Sequence, residues 1–262
     1  MGHGMNPKFF GNNAWTVYHC INLAFDILHE KNQISPELQN AIKVFNITFP
    51  RILQCKVCRD HSTGFDTLLE ESKKMKLSQA INSITIASEG CFPRSVLLHN
   101  MVNRKLNSPE WSVAQARAHW QVKMHDINRH SQLWYYIVLL VLHFDDNNDL
   151  AKGMYYRELF RVFPCLLVLM LPVADVASNT LLVHSCAQLN SNEYPLIELS
   201  SATFFKALYP LGQDIQSILH IGGCCVVDIA QSIMATFSAE KNKDSLLDYL
   251  SRIQTLLSSV RR

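Results

Sequence analysis

Between residues 49 and 61 the chain reads Phe49-Pro-Arg-Ile-Leu-Gln-Cys-Lys-Val-Cys-Arg-Asp-His61. Cys55 and Cys58 are three positions apart, so on the first turn of a helix they share a face and lie close enough to form a disulfide. A helix N-terminus also favours the thiolate form of cysteine. The pattern predicts a redox-active dithiol on a helix. Half of a zinc site has the same spacing, and zinc needs four ligands, so the surrounding sequence has to separate the two interpretations.

Two clusters of polar and aromatic residues flank the dithiol. Upstream, Trp15 and His19 are four positions apart at the start of an apolar run with helical spacing, so they share a helix face. Downstream, His99, Asn100 and Asn103 lie on adjacent turns of a second helical stretch. An aromatic side chain, hydrogen-bonding histidine and asparagine side chains and a nearby cation suit a flat heteroaromatic ring that carries a phosphate. The sequence therefore indicates a flavin beside the dithiol.

The motifs WxxxH, CxxC and HNxVN, in this order, resemble those of the Erv/ALR family of FAD-linked sulfhydryl oxidases. Residues 52–61 are most similar to the branch carried by baculoviruses and related large DNA viruses of invertebrates. The resemblance covers residues 12–125. It implies a bundle of four helices with a short fifth helix and with FAD at the mouth of the bundle. It also implies that electrons pass from substrate thiols through the dithiol to FAD and then to oxygen, which gives hydrogen peroxide.

The resemblance also implies a role for each motif residue. Cys58 would be the cysteine beside the flavin, and Cys55 the outer cysteine that exchanges with substrate thiols. Trp15 and His19 would contact the flavin and adenine ends of FAD, and His61 stands where the family often has histidine. The downstream residues expected to bind the cofactor, chiefly on its adenosine and ribose side, are His99, Asn100, Val102, Asn103 and Lys105.

Two departures from the family pattern change what is expected. The family commonly reads Leu-Gly-Lys-Pro after the third motif, whereas this chain reads Leu106-Asn-Ser-Pro109. The usual phosphate-contacting lysine is therefore missing, which leaves Lys105 or Arg104 as the candidate replacement. Many relatives also carry a CX16C disulfide near the fifth helix, but no cysteine lies between Cys91 and Cys165. Packing alone is expected to hold that end of the bundle.

Composition limits the kinds of function to be considered. The chain has 262 residues, 48% of them hydrophobic, which allows a sizeable core in one large or two ordinary domains. The formal net charge is +2 and no dense basic patch occurs apart from Arg261-Arg262, so nucleic-acid binding is not indicated. Residues 1–8 lack the apolar segment of a secretory signal. The most apolar stretches, 134–144 and 162–174, are shorter than the roughly 18 residues of a membrane span.

These features predict a protein without a membrane span that is made in the cytosol. Disulfide formation in a reducing compartment is expected of a virus that assembles there. The viral resemblance therefore implies the cytoplasm or nucleus of an infected host cell, or packaging in the virion.

The cysteines outside the dithiol lie in apolar helical contexts, where a thiol usually packs as a small hydrophobic group. This interpretation is favoured for Cys20, Cys165 and Cys186. A shuttle disulfide between Cys224 and Cys225 is the alternative for that pair, but a bridge between adjacent residues is strained, so core packing is favoured there too. The sequence leaves open whether a shuttle disulfide exists among Cys20, Cys91, Cys165, Cys186, Cys224 and Cys225.

The second half of the chain faintly repeats the first. Residues 15–26, WTVYHCINLAFD, align without gaps on residues 134–145, WYYIVLLVLHFD, and Phe49-Pro50 has a counterpart in Phe163-Pro164. In this alignment the positions of His19, Cys55, Cys58 and Asn100 are taken by Val138, Leu169, Pro172 and Ile221. Such a copy can neither bind flavin nor cycle a disulfide. Chance similarity between short apolar helices is the alternative.

We therefore expect a catalytic FAD-binding bundle over residues 1–128 and a degenerate bundle over residues 129–262. Erv-type bundles generally pair, and two bundles fused in one chain form that interface without an association cost. The chain would then be an intramolecular pseudo-dimer that holds one FAD. The sequence leaves open whether two such chains form a homodimer. No strand pattern of period two is sustained, so the expected class is all-α. Helices are expected at residues 13–30, 36–47, 56–72, 76–88, 93–106, 112–124, 131–144, 151–171, 173–188, 200–208, 211–237 and 243–260.

The favoured function is an FAD-dependent thiol oxidase for viral protein maturation, with protein thiols and oxygen as partners and no metal. The principal alternative is a zinc-stabilised or structural interaction protein that uses Cys55, Cys58, His61 and His99. Its C-x2-C-x2-H spacing is cramped on one helix, and it leaves Trp15 unexplained. A second alternative keeps the fold and FAD but makes the protein chiefly a structural part of the virion with little turnover. Core or edge packing, rather than ligand contact, is expected of Trp111 and Trp120.

Overall fold

The computed structural model of the chain describes residues 7–53, 90–124, 136, 150–169 and 251. These parts contain the α-helices α1 (Pro7–Glu30), α2 (Pro36–Ile52), α3 (Cys91–Lys105), α4 (Val113–Met124) and α5 (Leu150–Val168). They contain no strand, so the all-α class is confirmed for them. The helices expected at 56–72, 76–88, 173–188, 200–208 and 211–237 lie outside the described residues. The same holds for those at 131–144 and 243–260, apart from the helical residues Tyr136 and Ser251.

α1 is the central helix of the described bundle, because α2, α3 and α4 all contact it. A buried pair of amides aligns α1 with α2. Asn46 Nδ2 donates a hydrogen bond to Asn22 Oδ1 over 2.8 Å, and Asn22 Nδ2 donates to the Tyr18 carbonyl over 2.8 Å. Polar groups in an apolar core cost free energy when they lose their partners, so this pair favours one relative position of the two helices.

α2 begins at a defined cap and runs further than the sequence pattern predicts. Ser35 Oγ accepts a hydrogen bond from the Leu38 amide at 3.2 Å, and Pro36 occupies the first helical position. The expected end at residue 47 is too early, because the helix continues to Ile52 through Pro50. A proline there removes one backbone donor, but the last turn is packed by the fully buried side chains of Phe49 and Ile52.

A side chain of α1 caps the N-terminus of α3. Asp26 accepts hydrogen bonds from the amides of Cys91, on Oδ1, and of Phe92, on Oδ2, each over 2.8 Å. The first amides of a helix have no partner inside the helix, so this carboxylate lets α3 begin at Cys91 rather than at the expected residue 93. The cap also fixes the N-terminus of α3 against α1.

The connection between α3 and α4 is short and well defined. Asn107 ends α3 with a positive φ of 51°, a conformation that asparagine tolerates better than most residues. α4 then begins with a capping box. Ser112 Oγ accepts a hydrogen bond from the Gln115 amide at 3.2 Å, and Gln115 Oε1 accepts one from the Ser112 amide at 2.9 Å.

α5 belongs to the second half of the chain and packs along α2. Tyr156 is fully buried, and its hydroxyl donates a hydrogen bond to the Ile52 carbonyl over 3.0 Å. The Arg51 guanidinium lies 5.1 Å from the centre of the Tyr155 ring. α5 therefore contacts the end of the helix that leads to Cys55. None of the described helices has the length and apolar character that crossing a membrane requires.

Candidate functional site

The WxxxH and HNxVN motifs meet in the fold. The indole ring of Trp15 on α1 stacks on the imidazole ring of His99 on α3, with ring centroids 4.0 Å apart and planes 7° from parallel. His19, one turn after Trp15, stacks on both rings, at 5.7 Å from Trp15 and 5.0 Å from His99. The fold thus brings together three residues that the sequence analysis assigned to a single ligand.

A chain of hydrogen bonds runs from α3 through His19 and back to α3. His99 Nδ1 lies 2.8 Å from His19 Nε2, and His19 Nδ1 lies 2.9 Å from Ser95 Oγ. Ser95 Oγ in turn donates to the Phe92 carbonyl over 2.7 Å. His19, with 1% of its surface exposed, is therefore held at both ring nitrogens.

Both histidines are neutral at physiological pH. Burial lowers the pKa of His19 well below its ordinary 6.5, and the nearby His99 and His119 rings lower it further. Burial also lowers the pKa of His99, to about 4. Because the two rings are in contact, a positive charge on one would disfavour a positive charge on the other. The site therefore presents uncharged imidazole rings.

α4 supplies a second aromatic wall. The Trp120 ring lies 4.8 Å from the His19 ring, tilted by 30°, and is 7% exposed. The expectation that Trp120 packs in the core is met. Trp120 also lines the cavity described below, as does the exposed Trp111. The His119 ring is nearly perpendicular to both indoles, and its centroid lies 4.8 Å from that of Trp111 and 4.9 Å from that of Trp120.

The two asparagines of HNxVN hold the α3–α4 connection. Asn100 binds the backbone of Trp111 twice, since its Nδ2 donates to the carbonyl at 2.7 Å and its Oδ1 accepts from the amide at 2.9 Å. Asn103 Nδ2 donates to the Pro109 carbonyl at 3.0 Å. Both asparagines also line the cavity. They shape one wall of the site through the backbone of the connection.

The two candidate replacements for the missing lysine lie outside the cavity. Arg104 forms a bidentate ion pair with Glu110, with distances of 2.9 and 2.8 Å, on the protein surface. Lys105 is exposed, and neither Lys105 nor the half-buried Val102 lines the cavity. Ser108, which stands where the Erv/ALR pattern has lysine, does line it. That position therefore offers a hydroxyl group in place of a charge.

The residues above surround a cavity of about 370 Å³, which lies in the range of small-molecule sites. Its aromatic and histidine walls are Trp15, His19, His99, Trp111, His119 and Trp120. The remaining walls are Asn12, Val96, Asn100, Asn103, Ser108, Pro109 and Ala116. None of these described lining residues is a lysine, arginine, aspartate or glutamate. The cavity suits an uncharged, flat, hydrogen-bonding group.

The expected redox pair, Cys55 and Cys58, and His61 lie outside the described residues. Of the remaining cysteines, Cys20, Cys91 and Cys165 are buried, which confirms the expectation of core packing for Cys20 and Cys165. Burial and the neighbouring Asp26 raise the pKa of the Cys91 thiol to about 12. A buried neutral thiol is a poor nucleophile, so Cys91 is unsuited to a shuttle disulfide. Cys186, Cys224 and Cys225 are outside the described residues.

Within the described ranges no three histidine, cysteine, aspartate or glutamate side chains are arranged to hold a metal ion. Three ligands of the alternative zinc site, Cys55, Cys58 and His61, lie outside those ranges. The fourth, His99, forms a hydrogen bond to His19 through its Nδ1. Comparison of the chain with protein-family models, curated proteins and solved structures gives no match.

Sequence reasoning missed three residues that organise the site. Ser95 lies one turn before His99 on the same helix face, and that spacing was a usable signal. Asp26 caps α3 from another helix, and a partner so distant in sequence leaves no local pattern. His119 next to Trp120 resembles any polar and aromatic pair on a helix, so the sequence contained no signal for its position.

Proposed function

We propose that the chain is an FAD-dependent sulfhydryl oxidase that forms disulfides in substrate proteins through Cys55 and Cys58. One observation carries the proposal: Trp15 and His19 of the first motif share a cavity with His99, Asn100 and Asn103 of the third. Motif matches that arise by chance have no reason to meet in the fold. Here ring stacking joins Trp15 to His99, and a direct hydrogen bond joins His19 to His99, which is 80 positions away.

The adenosine part of FAD fits the chemistry of this cavity. A purine ring is flat and uncharged, and the Trp15 and Trp120 rings provide flat aromatic surfaces. Neutral histidine and the Ser108 hydroxyl suit the amine and hydroxyl groups of a nucleoside. The pyrophosphate is expected to extend away from this cavity, because the described lining holds no cation.

The chain's own residues would perform the thiol chemistry. A substrate thiolate attacks the Cys55 sulfur of the Cys55–Cys58 disulfide, and Cys58 leaves as a thiolate. The second substrate thiol then attacks the mixed disulfide, which releases oxidised substrate and leaves both cysteines reduced. FAD, when bound, accepts the two electrons and passes them to oxygen. Each substrate dithiol thus loses two electrons and two protons, and one oxygen molecule becomes hydrogen peroxide.

We further propose that the second half of the chain is a built-in partner for the first. The sequence repeat pairs Phe49-Pro50 with Phe163-Pro164, which makes α2 and α5 equivalent helices. These two helices pack against each other. Equivalent elements meet in this way across a two-fold interface. The catalytic bundle would span residues 1–128 and the degenerate bundle residues 129–262.

The visible spectrum of the purified full-length protein tests the proposed function. We expect flavin absorption bands, one FAD per chain, and oxygen consumption when dithiothreitol is added. His99→Ala should lower the FAD content and the melting temperature together, because a ligand bound only by the native state stabilises that state. His29→Ala is the matched control, because His29 is exposed at the end of α1. A colourless protein with stoichiometric zinc would establish the alternative function instead.

A further inference from the structure

The contacts around Ser95 determine where the protons lie on two histidines. The Phe92 carbonyl can only accept, and it lies 2.7 Å from Ser95 Oγ, so the single hydroxyl proton of Ser95 points to it. Ser95 Oγ must then accept from His19 Nδ1, 2.9 Å away. If the hydroxyl proton pointed to His19 instead, oxygen lone pairs of Ser95 and Phe92 would face each other at 2.7 Å.

The same reasoning extends to His99. A neutral imidazole carries one proton, so His19 with a proton on Nδ1 has a lone pair on Nε2. His99 Nδ1 lies 2.8 Å from that lone pair and must donate to it. His99 is also neutral, so its own lone pair is on Nε2. Among the described residues no hydrogen-bond donor contacts His99 Nε2.

The surroundings keep this arrangement uncharged. His119, on α4, is a further titratable group close to His19, and the centroid of the Tyr18 ring lies 6.1 Å from that of His19. No carboxylate is among the described residues that line the cavity, so none is in place there to stabilise an imidazolium ion. The hydrogen-bond chain therefore has one direction, from His99 through His19 and Ser95 to the Phe92 carbonyl.

We infer that Ser95 is a positioning residue that keeps His19 and His99 protonated on Nδ1, so that His99 Nε2 accepts a hydrogen bond from the bound ligand. This inference rests on the proposed function for the identity of the ligand, the adenosine part of FAD. The ligand atom at His99 must then carry a proton, as the amino group of adenine and the hydroxyls of ribose do. A phosphate oxygen or a ring carbonyl at the same place would meet a lone pair and be rejected.

Proton positions on the histidines can be measured without any cofactor. Long-range proton–nitrogen correlation spectra of the full-length chain labelled with ¹⁵N-histidine distinguish the two neutral forms, and His99→Gln identifies the His99 signals. We expect the Nδ1-protonated pattern for both His19 and His99. Ser95→Ala removes the acceptor for His19 Nδ1 and should abolish this pattern, whereas Ser95→Thr keeps a hydroxyl group and should retain it.

The dissociation constant of FAD, measured by fluorescence titration, gives the second readout. Ser95→Ala should weaken FAD binding about tenfold, the effect of losing one well-placed hydrogen bond. Thr48→Val is the matched control, because it deletes another buried hydroxyl, which donates to the Val44 carbonyl at 2.8 Å on α2. This control should change neither the histidine spectra nor the affinity.

The outcomes separate this inference from the proposed function. A wild-type chain that binds FAD but has either histidine protonated on Nε2 would overturn the inference alone. A wild-type chain with both histidines protonated on Nδ1 that binds no FAD would overturn the proposed function, and with it the ligand named here. Equal FAD affinity of wild type and Ser95→Ala would show that Ser95 has no positioning role.

Discussion

A Cβ atom on residue 90 would lie 2.5 Å from Oδ2 of Asp26, so the Asp26 carboxylate occupies the space that a side chain there would need. Gly90 also has a φ of 91°, a conformation that residues with a side chain rarely adopt. The carboxylate stays in this place because it accepts hydrogen bonds from the first two amides of α3. The cap of α3 thus depends on a residue without a side chain immediately before it.

Gly90→Ala should therefore destabilise the protein, by about 1–3 kcal/mol for the backbone strain and by more if the cap is displaced. Urea unfolding followed by circular dichroism measures the effect. Gly153→Ala is the control, because Gly153 lies inside α5 with nothing within 4 Å of the added atom. That change should be neutral or stabilise by roughly 0.5–1 kcal/mol. Equal effects of the two substitutions would contradict the role given to Asp26.

Acid should weaken the fold before the carboxylates titrate. The pKa of His99 is about 4 in the folded protein and near 6.5 in the unfolded chain, so the unfolded chain takes up protons first as the pH falls. The free energy of unfolding should decrease by about 2 kcal/mol between pH 7 and pH 5 from His99 alone. His19 acts in the same direction.

In the variant His99→Gln the free energy of unfolding should decrease less between pH 7 and pH 5, because the contribution of His99 is absent. Urea unfolding of the variant and the wild type at the two pH values measures the difference. Burial raises the pKa of Asp26 from 3.8, so the folded protein binds this proton more tightly than the unfolded chain does. Protonation of Asp26 therefore stabilises the folded protein, at the acid end of the titration. An unfolding free energy that is the same at pH 7 and pH 5 in the wild type would show that His99 is not buried in its neutral form.

Residue spacing predicts part of this site because its signals are local. Trp15 and His19 share a face of one helix, and the HNxVN residues share a side of another. Local spacing could not show that Asn100 and Asn103 bind the backbone of the connection, because that depends on where α3 ends. The positive φ of Asn107 and the capping box at Ser112 decide that path.

The end of α2 and the start of α3 differ from the sequence prediction for a similar reason. Proline at residue 50 is a local signal for a helix end, yet tertiary packing of Phe49 and Ile52 carries α2 past it. The start of α3 depends on a carboxylate supplied by α1. Both errors arise where a contact between distant parts of the chain outweighs the local preference.

The two cysteines of the proposed redox pair should respond differently to substitution. Cys58→Ser should abolish oxygen consumption with dithiothreitol while FAD stays bound, because only the sulfur beside the flavin can pass electrons to it. Cys55→Ser should leave a Cys58 thiolate facing oxidised flavin, which gives a long-wavelength absorption band. Cys91→Ser is the control and should keep oxidase activity, since the Cys91 thiol is buried and its pKa is about 12. If Cys55→Ser and Cys58→Ser behave the other way round, the roles assigned to Cys55 and Cys58 are reversed.

Tyr156→Phe should destabilise the protein by about 1 kcal/mol, because it leaves the buried Ile52 carbonyl without its donor. Tyr155→Phe is the neighbouring control. It keeps the ring that the Arg51 guanidinium contacts and should have little effect on stability. Thermal unfolding of the two variants measures the difference. If both behave alike, the hydrogen bond to Ile52 does not hold the end of α2.

Truncation near residue 128 removes α5 and should expose the apolar face of α2 that α5 covers. We expect the fragment to self-associate or precipitate. The full-length chain should hold one FAD. Light scattering of the fragment and flavin counting on the full-length chain are the measurements. A soluble, monomeric, fully active fragment would make the second half an independent domain. Two flavins per chain would rule out a degenerate second copy.

The hydrogen bond between Ile52 and Tyr156 joins residues 104 positions apart, and it sets an order of events during synthesis. α2 leaves the ribosome long before α5 is translated. The face of α2 that α5 covers therefore stays accessible until the chain has grown past residue 169. A nascent chain in this condition is open to aggregation and to capture by chaperones. Ribosomes that stop before residue 169 would release a product that cannot complete this packing.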